Sequence, residues 1–232
     1  MISSSAVAHS LSSGRFGRDF LQRKACSVII TAIRRRCGDR TGIQGEIRLD
    51  HEKIEAAVRL LLEGIGEDPE REGLKDTPAR ISAMCEEIFG GLGEDASRDL
   101  AKTFSSGCSD LVVEKDIRFY SVCEHHLLPF FGTCTVAYVP DGRVVGLSKL
   151  ARTVEVYARR PQIQEQLTAQ IADAVMRELA PKGVIVKMKA EHLCMSMRGV
   201  KKPGTQTVTM ARRGVCAEDD SLLATFFAME NE

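Results

Sequence analysis

Side chains that commonly bind metals lie close together in one apolar stretch of the sequence. Residues 122–129 read VCEHHLLP, in which Cys123 and His126 have the spacing C-x-x-H. A second stretch, residues 190–199, reads AEHLCMSMRG and supplies Cys194 together with one more histidine. Zinc prefers thiolate and imidazole ligands, and a catalytic zinc site uses three protein ligands and keeps one position for water. We therefore predict that the two stretches meet in space and that Cys123, His126 and Cys194 bind zinc.

His125 and His192 would then lie beside the ion without binding it. Imidazole titrates near neutral pH, which suits both side chains to move protons. The alternative is that the cysteines are small buried apolar residues and the histidines are hydrogen-bonded core groups. Adjacent side chains of a strand point to opposite faces, so one member of the pair His125–His126 is poorly placed for an ordinary core.

Basic residues accumulate near the same segments, as a polyphosphate ligand would require. They are Lys149, Arg152, Arg159, Arg160, Arg198, Lys201 and Lys202. Arg159 and Arg160 fit a solvated helix face better than a ligand site. Ser148 fits the N-cap of a helix that begins at Lys149, where backbone N–H groups could also meet phosphate oxygens.

The polar pair Gln164–Glu165 opens a predicted apolar helix. The Glu165 carboxylate could accept two hydrogen bonds from the N–H edge of guanine. On the residues alone, a carboxylate on the surface of a helix is the simpler interpretation.

Hydrophobic periodicity predicts the elements that must position these side chains. From Asp50 onward, apolar residues recur at three- and four-residue steps, as in an amphipathic helix that Gly64 and Gly66 end. Thr77 followed by Pro78 has the form of an N-cap with proline in the first turn of a second helix. The sequence therefore predicts an N-terminal helical pair before the histidine cluster.

After the cluster the period falls to two. The segment GTCTVAYVPDGRVVG predicts a strand, a hairpin turn at Asp141–Gly142 and a second strand. A second helical pair follows, with Pro161 between its members. The segments GVIVKMKAEHLCMSMRG and TQTVTMARRGV then predict an antiparallel strand pair. The predicted fold class is α+β, with an antiparallel sheet that carries helices on one face.

Composition limits the class of protein. The chain has 232 residues and 44% hydrophobic content, enough to build a core, and its 32 basic residues balance 32 acidic ones. No overall charge therefore favours nucleic acid or an anionic membrane as a partner. Eight cysteines form no CxxC pair, which favours a reducing compartment. We expect no secretory signal and no transmembrane helix, because the apolar run CSVIITAI is too short to span a bilayer.

Three regions are predicted along the chain. Residues 1–45 are rich in serine and arginine and poor in acidic residues, which fits either a disordered tail or an organellar transit peptide. We interpret this region as a disordered extension. Residues 46–110 form the predicted helical region, and residues 111–232 form the predicted catalytic domain.

The segments that bear chemistry also resemble one enzyme family. SVCEHHLLPFFG, VVGLSKLARTVEVYARRPQIQEQLT and AEHLCMSMRGVKKPGTQTVTMARRG are similar to GTP cyclohydrolase I, and EAAVRLLLEGIGEDPEREGLKDTPARISAM looks like the N-terminal helical part of that family. The resemblance implies the first step of pterin biosynthesis, for folate or tetrahydrobiopterin, in which GTP and water give 7,8-dihydroneopterin triphosphate and formate. It also implies the tunnelling fold and rings, usually homodecamers, with sites at subunit boundaries.

The resemblance implies roles for individual residues. The positions that match zinc ligands are Cys123, His126 and Cys194. The positions that match catalytic groups are His125, which handles protons at the purine, His192 beside the reacting carbon, and Ser148 near the ribose. The positions that match guanine-recognition and triphosphate-binding groups are Gln164, Glu165, Lys149, Arg152 and Arg198.

The implied chemistry explains why these residue types are needed. Zinc lowers the pKa of a bound water, and protonation of N7 makes C8 of guanine electrophilic enough to accept hydroxide. The hydrated ring opens, C8 leaves as formate, and the rearranged ribose closes onto the freed amine to form the pterin ring. Contacts at both ends of GTP would hold C8 over the zinc.

Three other protein classes are weighed against this one. The nitrile reductase of the queuosine pathway uses a catalytic cysteine and a nicotinamide cofactor without zinc, and predicts no Cys, His and Cys trio. A zinc-stabilised binding module would keep the three ligands but has no use for His125, His192, Glu165 or Arg198. A nucleic-acid deaminase needs H-x-E with P-C-x-x-C, and the sequence has neither. We therefore expect a zinc-dependent cytoplasmic homo-oligomer that binds GTP, without nucleic acid or membrane partners; organelle import through residues 1–45 stays open.

Overall fold

The computed structural model describes residues 48–231, so the predicted extension 1–45 lies outside the described residues. The described residues cluster as one compact unit, and the predicted boundary between a helical region 46–110 and a catalytic domain 111–232 stays a prediction. The helices are α1 (His51–Gly64), α2 (Thr77–Ile88), α3 (Ser97–Leu100), α4 (Leu147–Ala158), α5 (Gln164–Leu179), α6 (Leu193–Ser196), α7 (Val215–Glu218) and α8 (Asp220–Glu230). The strands are β1 (Thr103–Ser105), β2 (Val112–Cys123), β3 (Pro129–Val139), β4 (Arg143–Val145), β5 (Pro161–Gln162), β6 (Gly183–His192) and β7 (Gln206–Gly214).

A five-stranded sheet in the order β5-β2-β3-β6-β7 forms the centre of the described residues. Its long strands are antiparallel, and only the two-residue β5 runs parallel to its neighbour β2. The predicted α+β class is confirmed, and so is the predicted antiparallel pairing of the last two strand segments, which are β6 and β7. The tunnelling fold is a more specific assignment than the α+β class, and it stays a prediction.

The predicted hairpin between β3 and β4 is wrong in its pairing. A turn is present, with Gly142 at φ 71°, but β4 pairs with the short β1 in a separate two-stranded sheet. Strand β3 has β2 on one edge and β6 on the other, so it has no edge left for β4. The Val145 N–H instead donates to the Tyr138 hydroxyl at 3.2 Å, which ties β4 to the sheet through a side chain.

Both faces of the central sheet are covered, because alternate residues of β3 enter different apolar clusters. Val136 and Tyr138 pack with buried residues of α4 and α5, whereas Ala137 and Val139 pack with Phe226 of α8 and its neighbours. The prediction of helices on one face is therefore incomplete. It describes α4 and α5 correctly but omits the C-terminal helix α8 on the opposite face, which no sequence argument had identified.

The N-terminal helical pair is confirmed as α1 and α2, which pack against each other. The Asp50 carboxylate caps α1 by accepting from the Lys53 N–H at 3.1 Å. Helix α2 begins one residue earlier than predicted, with Asp76 at the N-cap position and Thr77 as its first residue. None of the helices within residues 48–231 has the length and hydropathy needed to cross a membrane.

Helix α4 also begins earlier than predicted. Gly146 occupies the N-cap position with extended backbone, and the helix starts at Leu147 directly after β4. Ser148 therefore lies inside the first turn, and its predicted role as N-cap is wrong. The exposed side chain of Ser148 and the largely buried side chain of Lys149 still lie at the N-terminal end of the helix.

Candidate functional site

The cysteine and histidine stretches meet because β3 lies between β2 and β6. Strand β2 ends at Cys123, and its residue Val122 pairs with Pro129 at the start of β3. The next residue of β3, Phe130, pairs with His192 at the end of β6. The one-turn helix α6 follows β6 immediately and contains Cys194. The same end of three adjacent strands therefore presents both stretches.

A tight turn after Cys123 presents the two adjacent histidines. The Cys123 carbonyl accepts from the Leu127 N–H at 2.9 Å, and the Cys123 N–H donates to the Leu128 carbonyl at 2.9 Å. Leu127 has a left-handed backbone, with φ 52°. His125 and His126 thus lie in a turn and not on a strand, so the argument that they point to opposite faces of a sheet does not apply. Both side chains are exposed.

Cys123, His126 and Cys194 form a group that can hold a metal ion. Each offers one ligand atom, and these atoms all lie within 4.8 Å of one another. Ligands of a single tetrahedral zinc ion lie about 3.5–3.8 Å apart, because each is about 2.0–2.3 Å from the ion. Small side-chain movements would therefore close the group around zinc, and two sulfurs with one imidazole are a donor set that zinc accepts.

The electrostatics of the two cysteines favour a cation between them. Burial raises the pKa of the Cys194 thiol, and the neighbouring Cys123 raises it further through its charge and a hydrogen bond. Two thiolates so close together repel each other, and a bound metal ion removes this penalty because it favours the deprotonated form of its ligands. A bound cation would therefore stabilise the deprotonated form of this site.

Arg198 supplies one positive charge at this site. Its Nη1 lies 2.9 Å from Nε2 of His126. A guanidinium group can only donate, so the imidazole nitrogen accepts this hydrogen bond. The contact joins the residue that matches a triphosphate contact to a predicted metal ligand.

His125 lies next to the cluster but is not one of its three members. Its Nδ1 is 3.8 Å from the Cys123 sulfur, and its Nε2 is 3.8 Å from a carboxylate oxygen of Glu124. This position beside the candidate metal agrees with the predicted role in proton transfer, which remains a prediction.

His192 is held from two sides. Its ring stacks on Phe130 with centroids 4.6 Å apart and planes 2° apart, and its Nε2 lies 2.8 Å from Oε1 of Gln164. Burial lowers the pKa of His192, while the negative charge of Glu165 acts in the opposite direction. Glu165 itself is exposed at the start of α5. Sequence reasoning missed Phe130, whose contact depends on the β3–β6 register.

The Gln164 side chain is buried and its orientation is fixed. Its Nε2 lies 3.0 Å from the Thr207 carbonyl, 3.1 Å from the Thr209 hydroxyl and 3.3 Å from the Met188 carbonyl. Two of these acceptors are carbonyls, so the NH₂ must face them and the amide oxygen must face His192. His192 therefore donates from Nε2. The hydrogens of the Gln164 amide are already bound within the protein, which places this side chain as a support for His192.

Ser148, Lys149 and Arg152 form a separate group on α4. Lys149 Nζ lies 2.8 Å from Oδ1 of Asp99, and Arg152 Nη1 lies 3.6 Å from the same oxygen. Sequence reasoning missed Asp99, which lies on the short helix α3. Within residues 48–231, no hydrogen bond or ion pair joins this group to the cysteine and histidine cluster. The structure thus brings together the predicted metal ligands, with His125 and Arg198, but leaves the α4 group apart.

The sequence is similar to those of known proteins over most of its length. A family-wide sequence profile described as GTP cyclohydrolase I matches residues 54–231. The chain belongs to the GTP cyclohydrolase I family. A protein named GTP cyclohydrolase 1 from Carboxydothermus hydrogenoformans is 57% identical over 182 residues, which cover 78% of this chain and 95% of that relative.

Other relatives agree. Proteins of the same name are 60% identical over 174 residues in Streptococcus sanguinis, covering 75% of this chain and 95% of the relative, and 59% identical over 181 residues in Pelotomaculum thermopropionicum, covering 78% and 96%. The prediction of a GTP cyclohydrolase, a hydrolase, is confirmed. Among solved structures, one described as the archaeosine synthase QueF-Like in the apo form aligns at a TM-score of 0.38 and 24% identity, covering 47% of this chain and 97% of that chain. So weak a likeness has no bearing on the assignment.

Proposed function

We propose that this member of the GTP cyclohydrolase I family is a zinc enzyme that converts GTP and water to 7,8-dihydroneopterin triphosphate and formate. The observation that carries the proposal is the convergence of Cys123, His126 and Cys194 within 4.8 Å, with His125 beside them. Family membership over residues 54–231 supports the substrate. The finer parts of the proposal are the metal, the roles of the residues and the assembly.

The metal centre consists of the three ligands at the end of β2 and in α6. When bound there, zinc supplies Lewis acidity that activates water at neutral pH. His125, exposed beside Cys123, transfers protons at N7 and C8 of the purine. His192, held through its Nε2 by Gln164, offers its other ring nitrogen to the reacting carbon or its leaving group.

The guanine end of the substrate is recognised at the start of α5. The Glu165 carboxylate is exposed and close enough to His192 for its charge to act on that ring. We assign to Glu165 the acceptance of two hydrogen bonds from the guanine edge. The Gln164 side chain, whose amide is already occupied, contributes through the position of His192.

The triphosphate end is bound by Lys149, Arg152 and Arg198, with Ser148 near the ribose. Arg198 contacts His126, but Lys149 and Arg152 contact Asp99 instead. One subunit therefore supports only part of the triphosphate site from these contacts. This separation supports a homo-oligomer, the decamer that is usual in this family, in which complete sites form at subunit boundaries.

In the cell, we place the enzyme in the cytoplasm at the first step of pterin biosynthesis, upstream of folate or tetrahydrobiopterin. Zinc, GTP and further copies of this chain are its partners under this proposal.

The proposal is tested by incubating the purified full chain with GTP and following formate release and pterin absorbance together. We expect equal amounts of formate and pterin, loss of both with a zinc chelator, and recovery when zinc is added back. Formate without pterin would contradict the proposed product and would direct attention to Ser148 and the ribose steps. A zinc-loaded, assembled sample that releases neither product would contradict the proposed activity.

A further inference from the structure

The segment after α6 carries a cluster of cations. We name residues 197–203, with sequence MRGVKKP, the basic loop; it is bounded by Ser196 and Gly204. Arg198, Lys201 and Lys202 in this loop are exposed, and the loop contains no acidic residue. Its sequence therefore presents three positive charges next to the candidate metal ligands, and Arg198 reaches His126 at 2.9 Å.

One residue of the basic loop has a backbone conformation that its side chain disfavours, and glycines adopt the same conformation nearby. Gly199, Lys201 and Gly204 have positive φ angles of 61°, 49° and 77°. Glycine adopts this conformation freely, but Lys201 bears a side chain that disfavours it. The Lys202 N–H donates to the carbonyl of Met195, in the helix just before the loop, at 3.0 Å. A loop of this shape needs contacts from outside to remain in one arrangement.

Glu191, near the end of β6, supplies such contacts at both ends of the loop. Its Oε1 accepts a hydrogen bond from the Ser196 hydroxyl at 2.5 Å and another from the Gly204 N–H at 3.1 Å. Hydrogen bonds to a charged acceptor are stronger than those between neutral groups. The Ser196 hydrogen bond, followed by that of Gly204, lowers the pKa of Glu191, so the carboxylate is ionised at neutral pH.

We propose that Glu191 is a positioning residue, whose carboxylate closes the base of the basic loop and thereby presents Arg198, Lys201 and Lys202 to the oligophosphate end of the substrate. This inference rests on the proposed function for the identity of the substrate. Within residues 48–231, no side-chain hydrogen bond or ion pair joins Glu191 to the candidate metal ligands or to Glu165, so we assign its effect to the loop.

A carboxylate beside three cations also has an opposite effect, because its negative charge weakens their attraction for phosphate. Two substitutions separate the effects. Glu191→Gln removes the charge but keeps an amide oxygen that accepts from both Ser196 and Gly204. Glu191→Ala removes the charge and both hydrogen bonds. If Glu191 positions the loop, only the alanine variant loses phosphate affinity.

The experiment uses the full, zinc-loaded and assembled chain. It measures the Kd of inorganic tripolyphosphate by calorimetry, KM and kcat for GTP, and amide hydrogen exchange of residues 197–204. For Glu191→Ala we expect Kd and KM to rise about tenfold, the equivalent of about 1.4 kcal/mol, with kcat changed less than about twofold. Amide exchange in the loop should accelerate. Glu191→Gln should keep Kd within about threefold of the parent protein.

Several outcomes would overturn the proposal. Unchanged loop exchange and unchanged tripolyphosphate affinity in Glu191→Ala would show that the carboxylate does not hold the loop. Tighter tripolyphosphate binding in both variants would show that its charge dominates. If Glu191→Ala fails to assemble, Ser196→Ala replaces it, since this variant removes one of the two hydrogen bonds without changing a charge. Faster amide exchange in the loop together with weaker tripolyphosphate binding would then support the proposal. If neither the exchange nor the binding changes, the proposal is overturned.

The proposed function and this inference fail in different ways. A parent protein that binds tripolyphosphate but does not turn over GTP counts against the proposed function alone, because loop exchange and phosphate affinity still test Glu191. A parent protein that turns over GTP but whose affinity for tripolyphosphate is independent of Glu191 counts against the inference alone.

Discussion

Under the proposed function, metal binding and proton transfer belong to different residues, so the two roles can be separated by substitution. Cys194→Ser should lose both bound zinc and turnover, because serine is a poor replacement for a thiolate ligand. His125→Ser should keep zinc and lower kcat at least about 100-fold, as expected for loss of a general acid or base. The same samples would be used for two measurements. Mass spectrometry would give their zinc content, and an enzyme assay would give their rate of formate release.

The matched control for these substitutions is Cys108→Ser, since Cys108 is an exposed thiol outside the cluster. It should leave zinc content and rate unchanged. A fully active His125→Ser variant would remove the proton-transfer role, and a Cys194→Ser variant with normal zinc content would remove Cys194 from the ligand set.

Gln164 gives a second prediction at this scale. Gln164→Leu removes the acceptor for His192 and leaves the carbonyls of the half-buried Thr207 and the buried Met188 without its NH₂ group. We expect stability to fall by about 1–3 kcal/mol and kcat to fall about tenfold or more, with zinc content unchanged. Gln166→Leu, on the exposed side of the same helix, is the control. Equal kcat in the two variants would contradict a supporting role for Gln164.

Residue types and spacing predicted which three residues converge, because the metal-binding chemistry of Cys and His is specific. They did not predict Phe130 against His192 or Asp99 against Lys149. Those contacts arise from the β3–β6 register and from the packing of α3 on α4, which are properties of the assembled elements. A carboxylate or a phenylalanine is common in any sequence, so neither had a local signal.

At the scale of elements, the close approach of β3 and β6 depends on one glycine. A Cβ atom on Gly132 would lie 1.9 Å from the Lys189 carbonyl oxygen, which belongs to the backbone of the paired strand. Gly132→Ala should therefore destabilise the protein by about 3 kcal/mol or more and disturb the strands that end at the metal site. Gly107→Ala, where a Cβ would meet open space, should have little effect. Thermal unfolding of both variants would test this prediction. A Gly132→Ala protein as stable as its parent would contradict the close approach of β3 and β6 at this position.

The contact between α3 and α4 predicts a pH dependence of stability. The hydrogen bond from Lys149 lowers the pKa of Asp99, so folding favours the ionised carboxylate. Its stabilising contribution is fully present above the unfolded carboxyl pKa of about 4 and is lost as the pH falls through the lower folded value. The Tm difference between the parent protein and Asp99→Asn should therefore shrink between neutral and acidic pH. A difference that stays constant or grows on acidification would contradict the ion pair.

Most elements were predictable from periodicity, but their partners were less so. The period-two pattern identified β3 and β4 correctly, and the turn signal at Asp141–Gly142 suggested that they pair. A strand has only two edges, however, and β3 pairs with β2 along one edge and with β6 along the other. No edge of β3 is therefore free to pair with β4. The segment that forms the C-terminal helix α8 is almost uniformly apolar. It therefore lacks the periodic pattern that would have identified it as a helix covering the second face of the sheet.

At the scale of the whole molecule, the outer edge of β7 is a candidate contact for the proposed assembly. Strand β7 is an edge strand of the five-stranded sheet. Its residues Val208 and Met210 are 53% and 37% exposed to solvent. A long apolar edge strand attracts another strand. Under the proposed ring assembly, Val208→Glu should reduce the mass of the particle measured by light scattering and reduce turnover with it. Thr205→Glu, just before β7, is the control, and a Val208→Glu protein of unchanged mass would contradict assembly through this edge.

The position of the metal ligands on either side of β3 also has a consequence for the order of folding. Cys123 ends β2 and Cys194 follows β6, so the ligands meet only after both strands have paired with the strand between them. Contacts between distant parts of a chain form slowly. Under the proposed function, zinc binding is therefore a late step in folding. The rate at which a newly refolded chain takes zinc from a weakly binding indicator dye should then report when its central sheet is complete.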